Sequence, residues 1–110
     1  MRKVTEDSVK AFMNNEKFVS GNTCVSVNED TTVLKLHDNI IAMKTLKDGK
    51  IKINNCGYET SSTKERLNGI ILMCGSTKTS DIVRKKGQWT WRNTQGKVIE
   101  FPYAEYVSIN

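Results

Sequence analysis

The sequence predicts an α+β fold. The expected architecture is a twisted antiparallel sheet, a meander of five to seven strands, with one amphipathic helix packed on it and a short N-terminal helix. Three observations carry this. Short segments of alternating apolar and polar residues recur along the chain, divided by Gly, Asn and Asp pairs that suit tight turns. Residues 62–74 keep a helical spacing between a start signal and a stop signal. A second helical face lies near the N-terminus.

In chain order, Thr5 is placed to cap the first helix, in which Val9, Phe12 and Met13 share a face. Asn14-Asn15 end it, and Phe18 and Val19 are expected to pack beneath. Gly21-Asn22 turns into a strand over 23–27, where Thr23, Val25 and Val27 alternate with Cys24 and Ser26. Asn28 to Asp30 turn again, and Val33 to His37 read as the next strand. Asp38-Asn39 is expected to be a tight-turn pair, since both residue types tolerate positive φ. Ile40 to Leu46 follow as a strand, then Asp48-Gly49, the strongest hairpin signal of the chain, then Lys50 to Asn54.

The main helix comes next. Ser62 and Glu65 stand in the S/T-x-x-E relation, so the Ser62 hydroxyl is expected to accept from the Glu65 amide while the carboxylate reaches back. Leu67, Ile70, Ile71 and Cys74 fall at i, i+3, i+4 and i+7, one buried stripe. Gly75 suits a left-handed stop. Gly69, inside the helix, points to a second backbone passing close by. After a polar loop over 76–80, Ile82 and Val83 begin a strand. Trp89 and Trp91 share one face of another, and Val98, Ile99 and Phe101 form a last strand closing the sheet. Pro102 ends that strand because it has no N–H to give the ladder.

At 110 residues the chain reads as a single domain, residues 1–110, without a linker, repeat or low-complexity tract. A hydrophobic share of 37% and a charged share of 26% are those of a folded globular protein. With no apolar run long enough to span a bilayer and no secretory pattern at the N-terminus, neither membrane insertion nor export is expected. Cys24, Cys56 and Cys74 are odd in number and widely spaced, so reduced thiols in a cytoplasm are the reading, with no metal and no cofactor expected. The net charge of +5 is uneven: residues 1–39 carry five Lys/Arg against six Asp/Glu, residues 40–110 twelve against six. The later two thirds therefore favour an anionic partner.

Gly21-Asn22-Thr23, Leu36-His37-Asp38-Asn39-Ile40-Ile41-Ala42 and Gly57-Tyr58-x-Thr60-x-Ser62-Thr63-x-x-Arg66-Leu67-Asn68 resemble a family of small tailed-bacteriophage proteins. Its members read G-N-T, then H-G-N-x-I-A, then G-W-x-T-x-T-T-x-x-R-L-N. The family often ends in a Lys-Gly-x-Trp strand, which Lys86-Gly87-Gln88-Trp89 resembles. The likeness spans about residues 11–101. Tyr58 stands where the pattern has Trp, Ser62 where it has Thr, and Asp38 where Gly is common. The resemblance implies a phage protein of unknown function expressed in a host bacterial cytoplasm. It implies no chemistry.

The residues themselves offer several candidate sites. His37-Asp38 pairs an imidazole with a carboxylate, but at a turn and with no third group, so a structural turn is the better reading. Gly75-Ser76-Thr77-Lys78-Thr79-Ser80 has the composition of a phosphate loop yet follows a helix C-terminus, the wrong electrostatic end for phosphate. Lys78 remains a candidate anion contact. Arg84, Lys85 and Lys86 lie beside Trp89, Trp91 and Arg92; cations next to aromatic faces are the elements of single-strand nucleic-acid binding. A charged turn plus two core tryptophans would give the same pattern. Thr60, Ser62, Thr63 and Glu65 form the helix-cap motif, and Arg66 beside it suits a phosphate or carboxylate.

No nucleophile–base pair, carboxylate pair or metal cluster can be assembled, so no enzyme and no catalytic residue is expected. Two readings remain. In one, the protein binds a host protein or sequesters a small anionic messenger, serving host takeover or anti-defence. In the other, it binds nucleic acid through the basic second half and Trp89/Trp91.

Overall fold

The computed structural model describes residues 2–110. Helix α1 spans Lys3–Met13 and is followed by strands β1 (Phe18–Ser20), β2 (Thr23–Val27), β3 (Thr31–Leu36), β4 (Asn39–Thr45) and β5 (Ile51–Ile53). Helix α2 spans Ser61–Cys74, and β6 (Val83–Lys85), β7 (Gln88–Arg92), β8 (Val98–Glu100) and β9 (Val107–Ser108) complete the chain. The α+β class is the one expected. The sheet, however, is divided. One antiparallel sheet has six strands in the order β1-β2-β3-β4-β5-β9, and β6-β7-β8 form a separate sheet of three. The edge left free by β5 is taken by the C-terminal β9, through Lys52↔Ser108 and Ile53↔Val107, so the tryptophan hairpin does not close the meander.

Turn chemistry sets the register. Between β3 and β4 the two left-handed residues are His37 (φ 50°) and Asp38 (φ 64°), one position earlier than expected. A two-residue loop closing the pair Leu36↔Asn39 requires positive φ at its two central residues, and Asn39 already belongs to β4. Lys86 (φ 50°) and Gly87 (φ 80°) make the same turn between β6 and β7. The β3–β4 ladder then slips: Lys35 faces Ile40 but Leu34 faces Ala42, leaving Ile41 as the extra residue. That bulge lets the successive residues Ile41 and Ala42 both turn into the core.

Helix α1 starts at Lys3, and its N-cap Arg2 makes no side-chain cap. Thr5 is therefore not the cap: it lies inside the helix, fully buried. The other end of α1 is tied to the sheet by Lys44 of β4, whose Nζ donates to the carbonyls of Phe12 (3.0 Å) and Met13 (2.9 Å). A cation there complements the negative end of the helix. Burial pushes the Lys44 pKa down.

Helix α2 also begins earlier than expected. Thr60 is the N-cap, with its Oγ1 accepting from the Thr63 amide at 3.2 Å. Ser62 is thus the second helical residue and not the cap, and the Glu65 carboxylate turns away toward α1. The expected stripe holds: Leu67 and Ile70 are fully buried and Ile71 nearly so, each contributing about 1.5–3 kcal/mol by burial. Gly75 ends the helix as expected, but without using left-handed freedom. Its φ is −76°, an ordinary value. A Cβ there would stand 2.5 Å from the Ile71 carbonyl oxygen and 2.9 Å from Thr79 Oγ1, so the position admits only glycine.

One continuous hydrophobic cluster draws on both helices and both sheets, including Val9, Phe12, Leu34, Ile53, Leu67, Ile70 and Phe101. Trp89 and Trp91 belong to it, 1% and 2% exposed, with ring centroids 6.1 and 5.2 Å from that of Phe101. Neither indole offers a face to a base. The stacking role expected of Trp89 and Trp91 is therefore withdrawn: the alternation with Gln88 and Thr90 marks a core face. Among the described residues no helix is long and apolar enough to cross a membrane.

Candidate functional site

A concavity of about 1030 Å³ forms a groove along the outer side of α2. Ser61, Lys64, Glu65, Asn68, Leu72 and Gly75 form its helical wall, one stripe at spacings of three and four. The opposite wall is the loop from Ser76 to Asp81 together with Arg92 of β7.

Sequence builds that loop by local hydrogen bonding. Ser76 accepts from the Lys78 amide through Oγ (3.2 Å), and its carbonyl accepts from the Thr79 hydroxyl (2.9 Å). Ser80 and Arg92 exchange two bonds: the Ser80 amide donates to the Arg92 carbonyl (3.0 Å), and the Arg92 amide donates to Ser80 Oγ (2.8 Å). Asn68 fastens the loop's end to α2, donating from Nδ2 to the Ile82 carbonyl (3.0 Å) and accepting the Ile82 amide at Oδ1 (2.6 Å).

Charge in the groove is uneven. Glu65 Oε1 accepts from Arg2 Nε (2.8 Å), from Arg66 Nη1 (3.0 Å) and from the Thr5 hydroxyl. Burial alone would raise the Glu65 carboxyl, but those hydrogen bonds and the two guanidinium charges hold it below the ordinary carboxylate range. Glu65 is already balanced. Lys64, Arg92 and Asp81 have no ion pair among the described residues, which leaves two cations and one carboxylate unpaired in the groove lining. Leu72 adds a 74% exposed apolar side chain.

The residues expected to bind are distributed as follows. Arg92 lines the groove, and Lys78 is exposed on its loop. Arg84, Lys85 and Lys86 are exposed on the β6–β7 hairpin, Arg84 with its Nη2 donating to the Glu59 carbonyl at 3.0 Å. Arg66 is not available to a ligand. It is 3% exposed and donates to Thr5 Oγ1 (2.7 Å), to Glu65, and twice to Thr23 Oγ1 (3.3 Å each). Its positive charge, expected at the surface, instead joins α1, β2 and α2. Leu72 was not singled out from sequence. The available signal was an apolar residue off the 67/70/71/74 stripe.

A smaller recess of about 370 Å³ lies past the other side of the α2 N-terminus, between the β3–β4 turn and the segment around Asn55. Leu36, His37, Asn39 and Ile41 meet Tyr58, Thr60, Ser62 and Thr63 there. Two of the stretches that carry the phage resemblance thus line one cavity.

The Cys74 thiol, behind the groove, is pushed up to about 11 by burial, and Cys56 is raised for the same reason. All three cysteines are free thiols. No curated protein and no solved structure matches the chain. The sequence model of the Kyanoviridae Gp96 protein family matches residues 1–108, nearly the full length. The chain therefore belongs to the Kyanoviridae Gp96 protein family, a family of phage proteins.

Proposed function

We propose that this phage protein is an accessory factor that acts in the host bacterial cytoplasm by binding, not by catalysis, and that its ligand is an extended segment of a host protein laid along α2. The observation that carries this is the groove running from Ser61 at the first turn of α2 to Gly75 at its end. Fourteen helical residues at about 1.5 Å each give a trough of about 20 Å. That is the length of about six residues of extended chain. A compact anionic messenger would leave most of it unfilled. Hydroxyl and amide side chains along the walls suit a peptide backbone, Leu72 suits an apolar side chain, and Lys64 with Arg92 favours an acidic residue in the segment.

Nucleic acid is the weaker reading, because its aromatic half is in the core and only phosphate contacts from the hairpin cations remain.

The test is site-specific photo-crosslinking in infected cells. A crosslinker at position 72 should capture a host polypeptide, and one at the exposed Val19 on β1 should not. Leu72→Glu combined with Arg92→Glu should abolish capture by a crosslinker at Ser76, while Lys85→Glu with Lys86→Glu should leave it intact. Crosslinks to nucleic acid, or loss only in the hairpin variant, would overturn the proposal.

A further inference from the structure

We infer that the recess beside the α2 N-terminus is a second site, separate from the groove, that takes a small monocarboxylate with an apolar body. Its anchor is Asn55, fully buried at the back of the recess. One end of its side chain accepts two backbone amides, from Gly57 at 2.9 Å and from Ala104 at 2.8 Å. Two donors converging on one atom require that atom to be the oxygen, so the orientation of the amide is fixed. The other end is then the NH2 group, and among the described residues it has no acceptor. A buried donor without a partner costs about 1–3 kcal/mol, which an incoming acceptor would recover.

Two further donors belong to residues that line the recess. Thr60 caps α2 by taking the Thr63 amide, which leaves the amide of Ser62, a residue lining the recess, without a partner among the described residues, at the positive end of a fourteen-residue helix. His37 supplies another donor, and its tautomer follows from a chain of bonds that begins at Arg66. Arg66 gives Thr23 Oγ1 two hydrogens, so the single Thr23 hydrogen goes to Asn22 Oδ1 at 3.1 Å. Asn22 therefore presents Nδ2 to His37 Nε2 at 3.0 Å, and that ring nitrogen must be the acceptor. The neutral imidazole then carries its proton on Nδ1.

The charge and lining select the ligand class. No Lys or Arg lines the recess, so a doubly charged phosphate would lack a counter-charge, whereas a single carboxylate matches amide donors and a helix terminus. Buried Leu36 and Ile41 and the ring of Tyr58 give an apolar wall for the rest of the molecule. The volume, about 370 Å³, is near the lower end for ligand pockets and fits a small acid.

The experiment is a titration of the whole 15N-labelled protein with benzoate, isovalerate, benzamide and inorganic phosphate, followed in amide correlation spectra. At least one of the two carboxylates should shift the Asn55 side-chain NH2 and the Ser62 amide saturably. Benzamide and phosphate should leave them in place. Asn55→Asp keeps an oxygen for Gly57 and Ala104 but replaces the donor with a repelling acceptor. Ser62→Asp places a fixed carboxylate at the second helical position, where the helix terminus favours it and folding is retained. Each should weaken binding by about tenfold or more. The inference is overturned if neither acid gives saturable shifts up to about 10 mM. It is equally overturned if phosphate moves the same signals as far, or if Ser62→Asp binds like the native protein. Loss of the groove crosslink has no bearing on these signals, so the two proposals fail independently.

Discussion

Replacing Glu65 by Gln keeps the shape of the cluster that joins α1, β2 and α2 and deletes only its negative charge. In the native protein a single oxygen accepts from Arg66 at 3.0 Å, from Arg2 at 2.8 Å and from the Thr5 hydroxyl. A hydrogen bond to a charged group contributes about 1.5–3 kcal/mol and a neutral one about 1 kcal/mol. The Arg66 bond is partly buried and loses most of that difference. Arg2 is 55% exposed, and its pair contributes only a few tenths of a kcal/mol after screening. With the Thr5 bond weakened as well, Glu65→Gln should destabilise by about 1–2 kcal/mol, or about 5–15 °C in Tm for a domain of this size.

The pH dependence makes this prediction specific. Glu65 is held below its ordinary range in the folded state, so its contribution is fully present above the unfolded value. That contribution is lost as pH falls through the folded value. Below that point the native side chain is itself neutral and nearly the same shape as glutamine. Urea midpoints of the two proteins should therefore differ at about pH 7 and converge as pH falls through the folded value. A gap that stays constant across that range would mean the substitution acts through packing. No gap at neutral pH would mean the charge does not hold the cluster together.

Three shorter predictions follow from the same geometry. Thr60→Ala should lower stability by about 1 kcal/mol while Ser62→Ala changes it by less than about 0.5, and equal urea midpoints for the two variants would return the cap to Ser62. The buried Nε1 groups of Trp89 and Trp91 have no acceptor among the described residues. Trp91→Phe should therefore stay within about 1 kcal/mol of the native protein, against about 3–5 for Trp91→Ala, and a large loss in the Phe variant would reveal a partner for that N–H. The His37 ring should show its proton on Nδ1 in long-range 15N spectra at neutral pH. A proton on Nε2 would break the chain of bonds drawn from Arg66 through Thr23 and Asn22.

Local pattern was legible where short-range forces decide. β2 occupies the residues its alternation predicted, because Gly21-Asn22 fixes its start and the alternate residues Thr23 and Val25 are buried. The buried stripe of α2 was legible for the same reason. Thr5 misled because a threonine before an apolar helical face looks like a cap. Its hydroxyl is instead required by Glu65 and Arg66, sixty residues on, and no local rule contains that demand. Arg66 misled in the complementary way: charged residues are seldom buried, and this one is buried only because distant oxygens receive it. β1 and β9 are three and two residues long, too short to show a period. The division into two sheets turned on which strand takes the edge of β5, and alternation within a strand says nothing about its neighbour.

The composition of α2 follows from how many surfaces it serves at once. At about 100° per residue, Leu72 stands about 200° around the helix from Ile70, so one faces the groove when the other faces the core. Arg66 falls on the inward half and Leu72 on the outward half, each on the side where the opposite chemistry is normal. Either exchange weakens the contrast that marks a helix as amphipathic. For stability alone, an apolar residue at 66 and a polar one at 72 would serve better. Arg66 instead fixes the hydrogens of Thr23, Asn22 and His37, and through them the donor that His37 brings to the recess. Leu72 gives the groove its exposed apolar contact. The two positions where α2 departs from a simple packing helix are thus the two that connect it to the proposed binding sites.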